Sequence, residues 1–233
     1  MTICPNELNV QMKLALMQPL FAPNLYDLAC MLQADKILLT DNEQWSRKGR
    51  THRALIRTPD GTGYIHIPVM TDDRKKLIRD VRIDHTIDWI TPLLRTLAFN
   101  YRNSLYFDFY EPEIRADFES AKKFTYLLPF NLYLRERLFI FLDLSVKEKE
   151  QLASTISVYD PDPDKLAQNM NADLLYQEHD SRHYMRQAKM RSDPDFGHPV
   201  YHQHFDGFEP WCSLYDLLFQ TGPESFRVID QLS

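Results

Sequence analysis

The sequence predicts an α/β fold: a small N-terminal, mostly parallel or mixed sheet with a β-hairpin, followed by a helix-rich C-terminal half packed on it. Three observations predict it. Two short apolar runs enclose an amphipathic segment, a Pro-Asp-Gly-Thr-Gly turn joins two alternating segments, and apolar residues take helical spacing beyond residue 84. We therefore expect a single domain over 1–233, strand-rich over 10–82 and helix-rich over 84–233.

The first predicted unit is strand, helix, strand. "KLALM" at 13–17 and "KILLT" at 36–40 are too short for stable helices, so both are predicted to be buried strands. Between them, "PNLYDLACMLQA" repeats apolar residues three and four apart, as on one helical face. A crossover helix makes the strands parallel and leaves their following loops at one sheet edge. Gln18 and Asp41 are therefore expected at the same carboxyl edge.

The next predicted elements are a hairpin and a series of helices. "HRALIRT" and "YIHIPV" flank "PDGTG", a turn that favours a β-hairpin. Helices are predicted from Asp84, placed to cap the first, and around 111–124 and 128–144, the last of them mostly buried. In contrast, 159–181 has the proline and acid content of a surface connection.

The last predicted helix begins at Ser213 and ends before Gly222-Pro223. Ser213 and Asp216 have capping-box spacing, and the following leucines form an inward face.

Composition favours a globular protein that needs no disulfide or metal, since 44% of its 233 residues are hydrophobic. The longest apolar run, "LFIFL", is far short of the roughly 20 residues of a membrane helix, and the N-terminus lacks a signal-peptide pattern. We expect a cytoplasmic protein with no membrane span.

A net charge of -6 opposes nucleic-acid binding. The scattered Cys4, Cys30 and Cys212 are expected to be free thiols, with Cys212 as a less favoured nucleophile.

Positive charge is concentrated in "LTDNEQWSRKGRTHRALIRT", residues 39–58. Guanidinium groups bind phosphate or carboxylate through two parallel bonds, so the segment is a candidate anion clamp for a nucleotide-sugar pyrophosphate or a phosphopantetheine carrier. The alternative is a solvated loop. The candidate substrate-binding residues are Gln44, Arg47, Lys48, Arg50, His52 and Arg53.

Three residues are candidates for catalysis. Asp41 could accept a proton from an amine or hydroxyl, and Gln18 could orient a carbonyl or a sugar hydroxyl. The alternative is that both cap loop backbone. His204 is a further candidate acid or base because histidine titrates near neutrality. His179 and His183 are four residues apart, but no motif completes a ligand set, so we predict neither a metal nor a cofactor.

Several motifs occur in an order that resembles the WbqC-like family of bacterial proteins, whose members occur among genes for O-antigen and other surface polysaccharides. The motifs are "MQP" at 17–19, Pro23, Asp35, Asp41, Gln44, Arg47-Lys48, Arg53, "IPV" at 67–69, Trp89, Tyr101, Tyr106-Phe107 and "SLYDLLFQTGPES". The resemblance implies a role in the biosynthesis of lipopolysaccharide or another surface polysaccharide. Together with the polar edge that combines Gln18, Asp41 and the arginine cluster, it favours a transferase that attaches an acyl or aminoacyl group to an amino sugar. Its implied partners are a nucleotide sugar or an acyl carrier thioester. The alternative is a non-catalytic ligand-binding or assembly protein of the same pathway, and the oligomeric state is left open.

The chain departs from the family pattern at four places. Tyr26 stands where Gly is common, Asn42 where a second Asp is frequent, and Arg50 where Trp is usual; His52-Arg53-Ala54 replaces Asn-Arg-Asn. These changes fall mainly in the polar segment, so they predict either a different substrate or lost activity.

Overall fold

The computed structural model describes residues 11–177, 189–190 and 196–232. Within these residues a five-stranded sheet has the order β5-β2-β1-β6-β7, and β3 and β4 form a separate hairpin. The strands and α-helices are β1 (Met12–Met17), α1 (Leu25–Gln33), β2 (Lys36–Leu39), β3 (Arg53–Thr58), β4 (Gly61–His66), α2 (Ile90–Tyr101), α3 (Phe107–Glu119), α4 (Leu127–Phe141), β5 (Glu150–Leu152), α5 (Pro163–Asn169), β6 (Ala172–Gln177), β7 (Lys189–Met190), α6 (Leu214–Thr221) and α7 (Phe226–Ile229).

The sheet is mostly parallel, which confirms the predicted fold class. β1 pairs in parallel with both β2 and β6, β2 pairs in parallel with β5, and only β7 is antiparallel to its neighbour. Side chains alternate between the two faces of the sheet. Ala15 and Met17 join the main core, whereas Leu14 and Leu16 join a smaller one that includes Leu166 of α5.

The prediction of a surface connection over 159–181 is wrong for the central part of that range. α5 and β6 lie there, and β6 is the neighbour of β1 in the sheet. Asp162 accepts hydrogen bonds from the backbone of Asp164 and Lys165, with Pro163 in the first turn, so the proline-rich stretch starts a helix. The sheet therefore takes strands from both halves of the chain.

The hairpin is confirmed. β3 and β4 are antiparallel, with Thr58 opposite Gly61 around the turn. Gly61 has φ of +120°, a conformation that favours glycine. Ala54 and Ile56 are buried, so one face of the hairpin contributes to the main core.

The helices predicted around 111–124 and 128–144 are confirmed as α3 and α4, although α3 begins earlier, at Phe107. The helix expected from Asp84 begins only at Ile90. The Asp84 carboxylate instead accepts hydrogen bonds from Thr86, and Asp88 accepts one from the Thr91 backbone at the start of α2. The chain just before Asp84 is paired with other segments, with a bridge between Arg82 and Tyr126.

The final predicted helix is confirmed as α6, but the predicted capping box is wrong. The Ser213 side chain makes no capping hydrogen bond. Asp216 is buried and accepts hydrogen bonds from the hydroxyls of Tyr101 and Tyr201. Gly222 ends the helix as predicted, with φ of +50°.

Cys212 is a buried free thiol, as predicted, and Cys30 is also buried. Burial raises the pKa of Cys212, which disfavours the thiolate that a nucleophile requires. Across the described ranges, no helix combines the length and apolar character needed to cross a membrane.

Candidate functional site

The ends of β1 and β2 bring two polar side chains together at the carboxyl edge of the sheet. Gln18 follows β1 and is 8% exposed, and Glu43 lies in the loop after β2. Gln18 Nε2 donates a hydrogen bond of 3.1 Å to Glu43 Oε2. Ligands of open α/β sheets bind at this edge, so the Gln18–Glu43 pair is the centre of the candidate site.

Glu43 is a candidate that the sequence reasoning missed. Burial raises the pKa of its carboxyl group, while hydrogen bonds from Gln18 and Thr40 lower it by less. A carboxylate with a raised pKa binds a proton more readily near neutral pH than an ordinary glutamate does. Its position two residues beyond Asp41, in the same strand-end loop, is the sequence signal that could have found it.

Asp41 lies at the same edge but is held by the end of β5. Its Oδ1 accepts a 2.9 Å hydrogen bond from the Ser154 backbone, and its Oδ2 accepts one of 2.6 Å from Ser154 Oγ. Asp41 is 1% exposed. The contact ties the loop after β2 to the loop after β5, and a catalytic role for Asp41 stays a prediction.

Asn42 and Tyr159 complete the polar cluster around Glu43. Burial, followed by the charge of Glu43, raises the pKa of the Tyr159 hydroxyl, and a hydrogen bond with Asn42 lowers it by less. Asn42 Oδ1 is buried and has no hydrogen-bond partner in the part of the chain that the structure describes. A buried acceptor without a partner is energetically costly.

Two of the candidate anion-binding residues contact protein groups. Arg50 binds the buried Asp27 carboxylate through both of its terminal nitrogens, one at 3.1 Å from Asp27 Oδ1. Arg53 Nε donates a 2.9 Å hydrogen bond to the Gly49 carbonyl, Nη2 donates to the Lys48 carbonyl, and its guanidinium lies 4.5 Å from the centre of the Tyr64 ring. Substrate binding by these two arginines stays a prediction.

The Arg50–Asp27 pair attaches the basic segment to the first turn of α1. Asp27 and Asn24 form the N-terminal capping box of this helix, each side chain accepting from the other's backbone. Burial raises the pKa of Asp27, and the charge of Arg50 opposes that rise. The arginine side chain therefore lies next to the helix N-terminus that follows β1.

The other candidate binding residues differ in exposure. Arg47 and Lys48 are exposed, and so is Gln44, whose Nε2 lies 3.5 Å from the Lys75 carbonyl. His52 is 8% exposed and packs with its ring centre 4.9 Å from that of Trp45. Burial lowers the pKa of His52 to about 4, so it is neutral at pH 7 and brings no positive charge to an anion.

His204 belongs to the segment that precedes α6. It is partly buried, with its ring edge against Phe205 at 5.0 Å between ring centres. The same segment contacts the hairpin turn, where Arg57 donates to the Gly61 and Asp206 carbonyls. An acid or base role for His204 stays a prediction.

No metal site is seen among the described residues. Nowhere in 11–177, 189–190 or 196–232 do three His, Cys, Asp or Glu side chains assemble a site that could hold an ion. His179 and His183 lie outside the described residues.

Comparison with known proteins identifies the family. The chain is similar to the uncharacterized protein Rv1507c of Mycobacterium tuberculosis, with 26% identity over 242 aligned residues that cover 91% of this chain and 95% of that protein. No solved structure matches the chain significantly. The sequence model described as the WbqC-like protein family matches residues 18–228, nearly the whole chain. The chain therefore belongs to the WbqC-like protein family.

Proposed function

We propose that the protein is a transferase of bacterial surface-polysaccharide biosynthesis, of the O-antigen type, that joins an acyl or aminoacyl group to the amine of an amino sugar. Membership of the WbqC-like family supports the pathway. One observation carries the reaction class: Glu43, whose pKa is raised by burial, accepts a hydrogen bond from Gln18 where α/β sheets bind ligands. A buried carboxylate of this kind suits proton abstraction from an amine.

In the proposed reaction, the sugar amine attacks the carbonyl carbon of an acyl carrier thioester. The new C–N bond forms as the C–S bond breaks, the amine proton passes to Glu43, and the departing thiolate takes up a proton. Gln18 holds the carboxylate of Glu43 in place, and Asp41 positions the loop through Ser154. A positioned general base contributes about 10²- to 10⁴-fold in rate.

Two exposed, positively charged side chains of the same loop are the proposed binding site for a nucleotide sugar. Arg47 and Lys48 follow β2, as Glu43 does, and both are exposed. Unlike Arg50, which lies against the Asp27 carboxylate, they present their charges to solvent. We assign them to the diphosphate of the sugar nucleotide, which ammonium and guanidinium groups bind well.

Glu43→Gln tests the proposed base. The substitution keeps the size of the side chain and removes its ability to take the proton. With a panel of amino-sugar nucleotides and acyl thioesters, followed by mass spectrometry, we expect kcat to fall about 10²-fold while sugar-nucleotide binding is retained. Glu119→Gln, at an exposed position on α3, is the matched control. An unchanged kcat in Glu43→Gln would contradict the role of Glu43 as the base. If the protein showed no turnover and no binding with any member of the panel, the transferase proposal itself would be refuted.

A second candidate is a non-catalytic ligand-binding or assembly protein of the same pathway. One observation favours it: both carboxylate oxygens of Asp41 accept hydrogen bonds from Ser154, as expected of a residue that holds the loop in place. Asp41→Asn separates the two candidates. An enzyme is expected to lose rate with binding largely kept, whereas a binding protein changes only in affinity.

A further inference from the structure

A cavity of about 460 Å³ lies between α4 and β5. Its volume falls within the range of small-molecule sites, which are about 300 to 1,000 Å³. Its wall is mainly apolar: Phe139 and Val146 are among its buried members, Leu144 is partly buried, and Ile140 is exposed at the mouth. The cavity therefore has the size and the lining of a site for a small apolar group.

The cavity reaches the carboxyl edge of the sheet. Leu39 and Leu152, both in its wall, are paired at the carboxyl ends of β2 and β5. Thr40 follows Leu39 directly, and the Glu43 backbone N–H donates to the Thr40 carbonyl at 3.4 Å, in a turn that keeps these two residues within about 7 Å of each other. The wall of the cavity and the proposed proton acceptor are therefore neighbours at the same edge.

The charges of the cavity wall are paired. Arg135 and Glu150 form an ion pair at 2.6 Å, with side chains that are only 3% and 12% exposed. Glu136 and Lys147 form a second pair at the mouth, also at 2.6 Å. An ammonium or carboxylate group of a ligand placed in this cavity would lose hydration without gaining a free counter-charge from these four residues. An uncharged alkyl chain has no such cost and gains free energy from burial.

We propose that this cavity holds the acyl chain of the donor, an inference that rests on the proposed transferase reaction. The thioester carbonyl lies at the carboxyl edge near Glu43, and the alkyl chain extends past Leu39 and Leu152 into the cavity. The α-ammonium of an aminoacyl group would find both carboxylates of the wall already bound to cations. The cavity therefore selects an acyl donor over an aminoacyl donor.

Donor analogues that cannot transfer their acyl group test this proposal on the full chain. In 2-oxoalkyl thioethers of N-acetylcysteamine, a methylene separates the sulfur from the carbonyl carbon, so the thioester is absent. The series has acyl groups of two, four and six carbons, and a glycyl analogue carries an ammonium on the two-carbon group. Titrations followed in protein amide NMR spectra rank the affinities.

We expect each added methylene to tighten binding about fourfold, because each is buried against the apolar wall. The glycyl analogue is expected to bind no more tightly than the uncharged two-carbon analogue. An affinity that does not rise with chain length, tighter binding of the glycyl analogue than of the two-carbon one, or no binding by any member of the series would each overturn the proposal.

Leu144→Trp locates the chain by filling part of the cavity, whose wall includes the partly buried Leu144. We expect binding of the six-carbon analogue to weaken at least about tenfold, the effect of excluding about two methylenes, and binding of the two-carbon analogue to stay unchanged. Leu105→Trp, at a position that is 79% exposed and outside the cavity, is the matched control. Unchanged affinity for the six-carbon analogue in a folded Leu144→Trp variant would contradict the proposed position of the chain.

Ile140→Glu keeps the test valid if the bulkier variant does not fold. Ile140 lines the cavity and is 60% exposed, so a polar residue is compatible with folding there. We expect the six-carbon analogue to bind at least about threefold more weakly, because the chain loses an apolar contact at the mouth. The matched control is Leu105→Glu, and equal affinities in the two variants would contradict the proposal.

The chain site and the transferase reaction can fail separately. Turnover that depends on Glu43, combined with analogue binding that ignores chain length, would refute the chain site and leave the reaction standing. Binding that tightens with chain length in a protein without turnover would refute the reaction and leave a site for an apolar chain.

Discussion

Mild acid is expected to destabilise the protein through His52. Burial, and then the positive charges of Arg53 and His66, lower the pKa of this imidazole from 6.5 to about 4. Because the folded-state pKa lies below the unfolded one, the unfolded chain takes up the proton first. The contribution of His52 to stability is therefore complete above about pH 6.5 and is lost as the pH falls towards 4. At about 1.36 kcal/mol per pKa unit, the loss approaches about 3 kcal/mol, of which about 2 kcal/mol is reached by about pH 5.

His52→Asn isolates this effect, since the asparagine side chain does not titrate. Urea unfolding of the natural chain and of the variant, each at about pH 7.5 and about pH 5, yields four free energies of unfolding. We expect the natural chain to lose about 2 kcal/mol more than the variant between the two conditions, because the other titrating groups contribute equally to both proteins. His202→Asn, at an exposed histidine, is the matched control for removal of an imidazole. Equal losses in the natural chain and His52→Asn would refute the reasoning that His52 is buried in its neutral form.

Two other substitutions test the fold. Gly222 has φ of +50°, and the Cβ added by Gly222→Ala would lie 2.6 Å from Tyr106 Cδ1. We expect the free energy of unfolding, measured with denaturant, to fall by about 3 kcal/mol. An unfolding midpoint equal to that of the natural chain would contradict the clash. A hydrogen bond from Arg82 holds the pKa of Asp73 well below its ordinary 3.8, so Asp73 stabilises the fold above about pH 4 and loses this effect in stronger acid. Asp73→Asn is expected to unfold more easily near neutrality and to show a shallower acid dependence of Tm.

The local parts of the fold could be predicted, and the long-range parts could not. β1, β2 and the hairpin each carry their signal within a few residues, as apolar runs or as a turn between alternating segments. β6 has a comparable apolar centre, Leu174-Leu175, but its neighbours are acidic and polar residues typical of a loop. It becomes a strand because it pairs with β1, about 160 residues earlier in the chain, and tertiary pairing overrides weak local propensity.

The candidate site divides in the same way. The meeting of the loops after β1 and β2 follows from the geometry of a strand–helix–strand unit, so Gln18 and Asp41 could be placed at one edge in advance. Glu43 could have been placed at this edge by its position near Asp41, but its raised pKa could not have been predicted, because it depends on burial by the surrounding chain. Nor does the sequence reveal that Arg50 is bound to Asp27, 23 residues before it.

Two of the departures from the family pattern, Tyr26 and Arg50, lie where the basic segment meets α1. Arg50 binds Asp27 in the first turn of that helix, and the adjacent Tyr26 packs its ring edge against Trp211 at 5.6 Å between ring centres. His52 lies on the neighbouring part of the segment, against Trp45. In this chain, Arg50 thus anchors the basic segment to α1. Asn42, another departure, is the neighbour of Glu43 in the chain, but the hydrogen bond between Gln18 and Glu43 is made by other residues. The departures therefore favour a changed substrate over loss of the proposed proton acceptor.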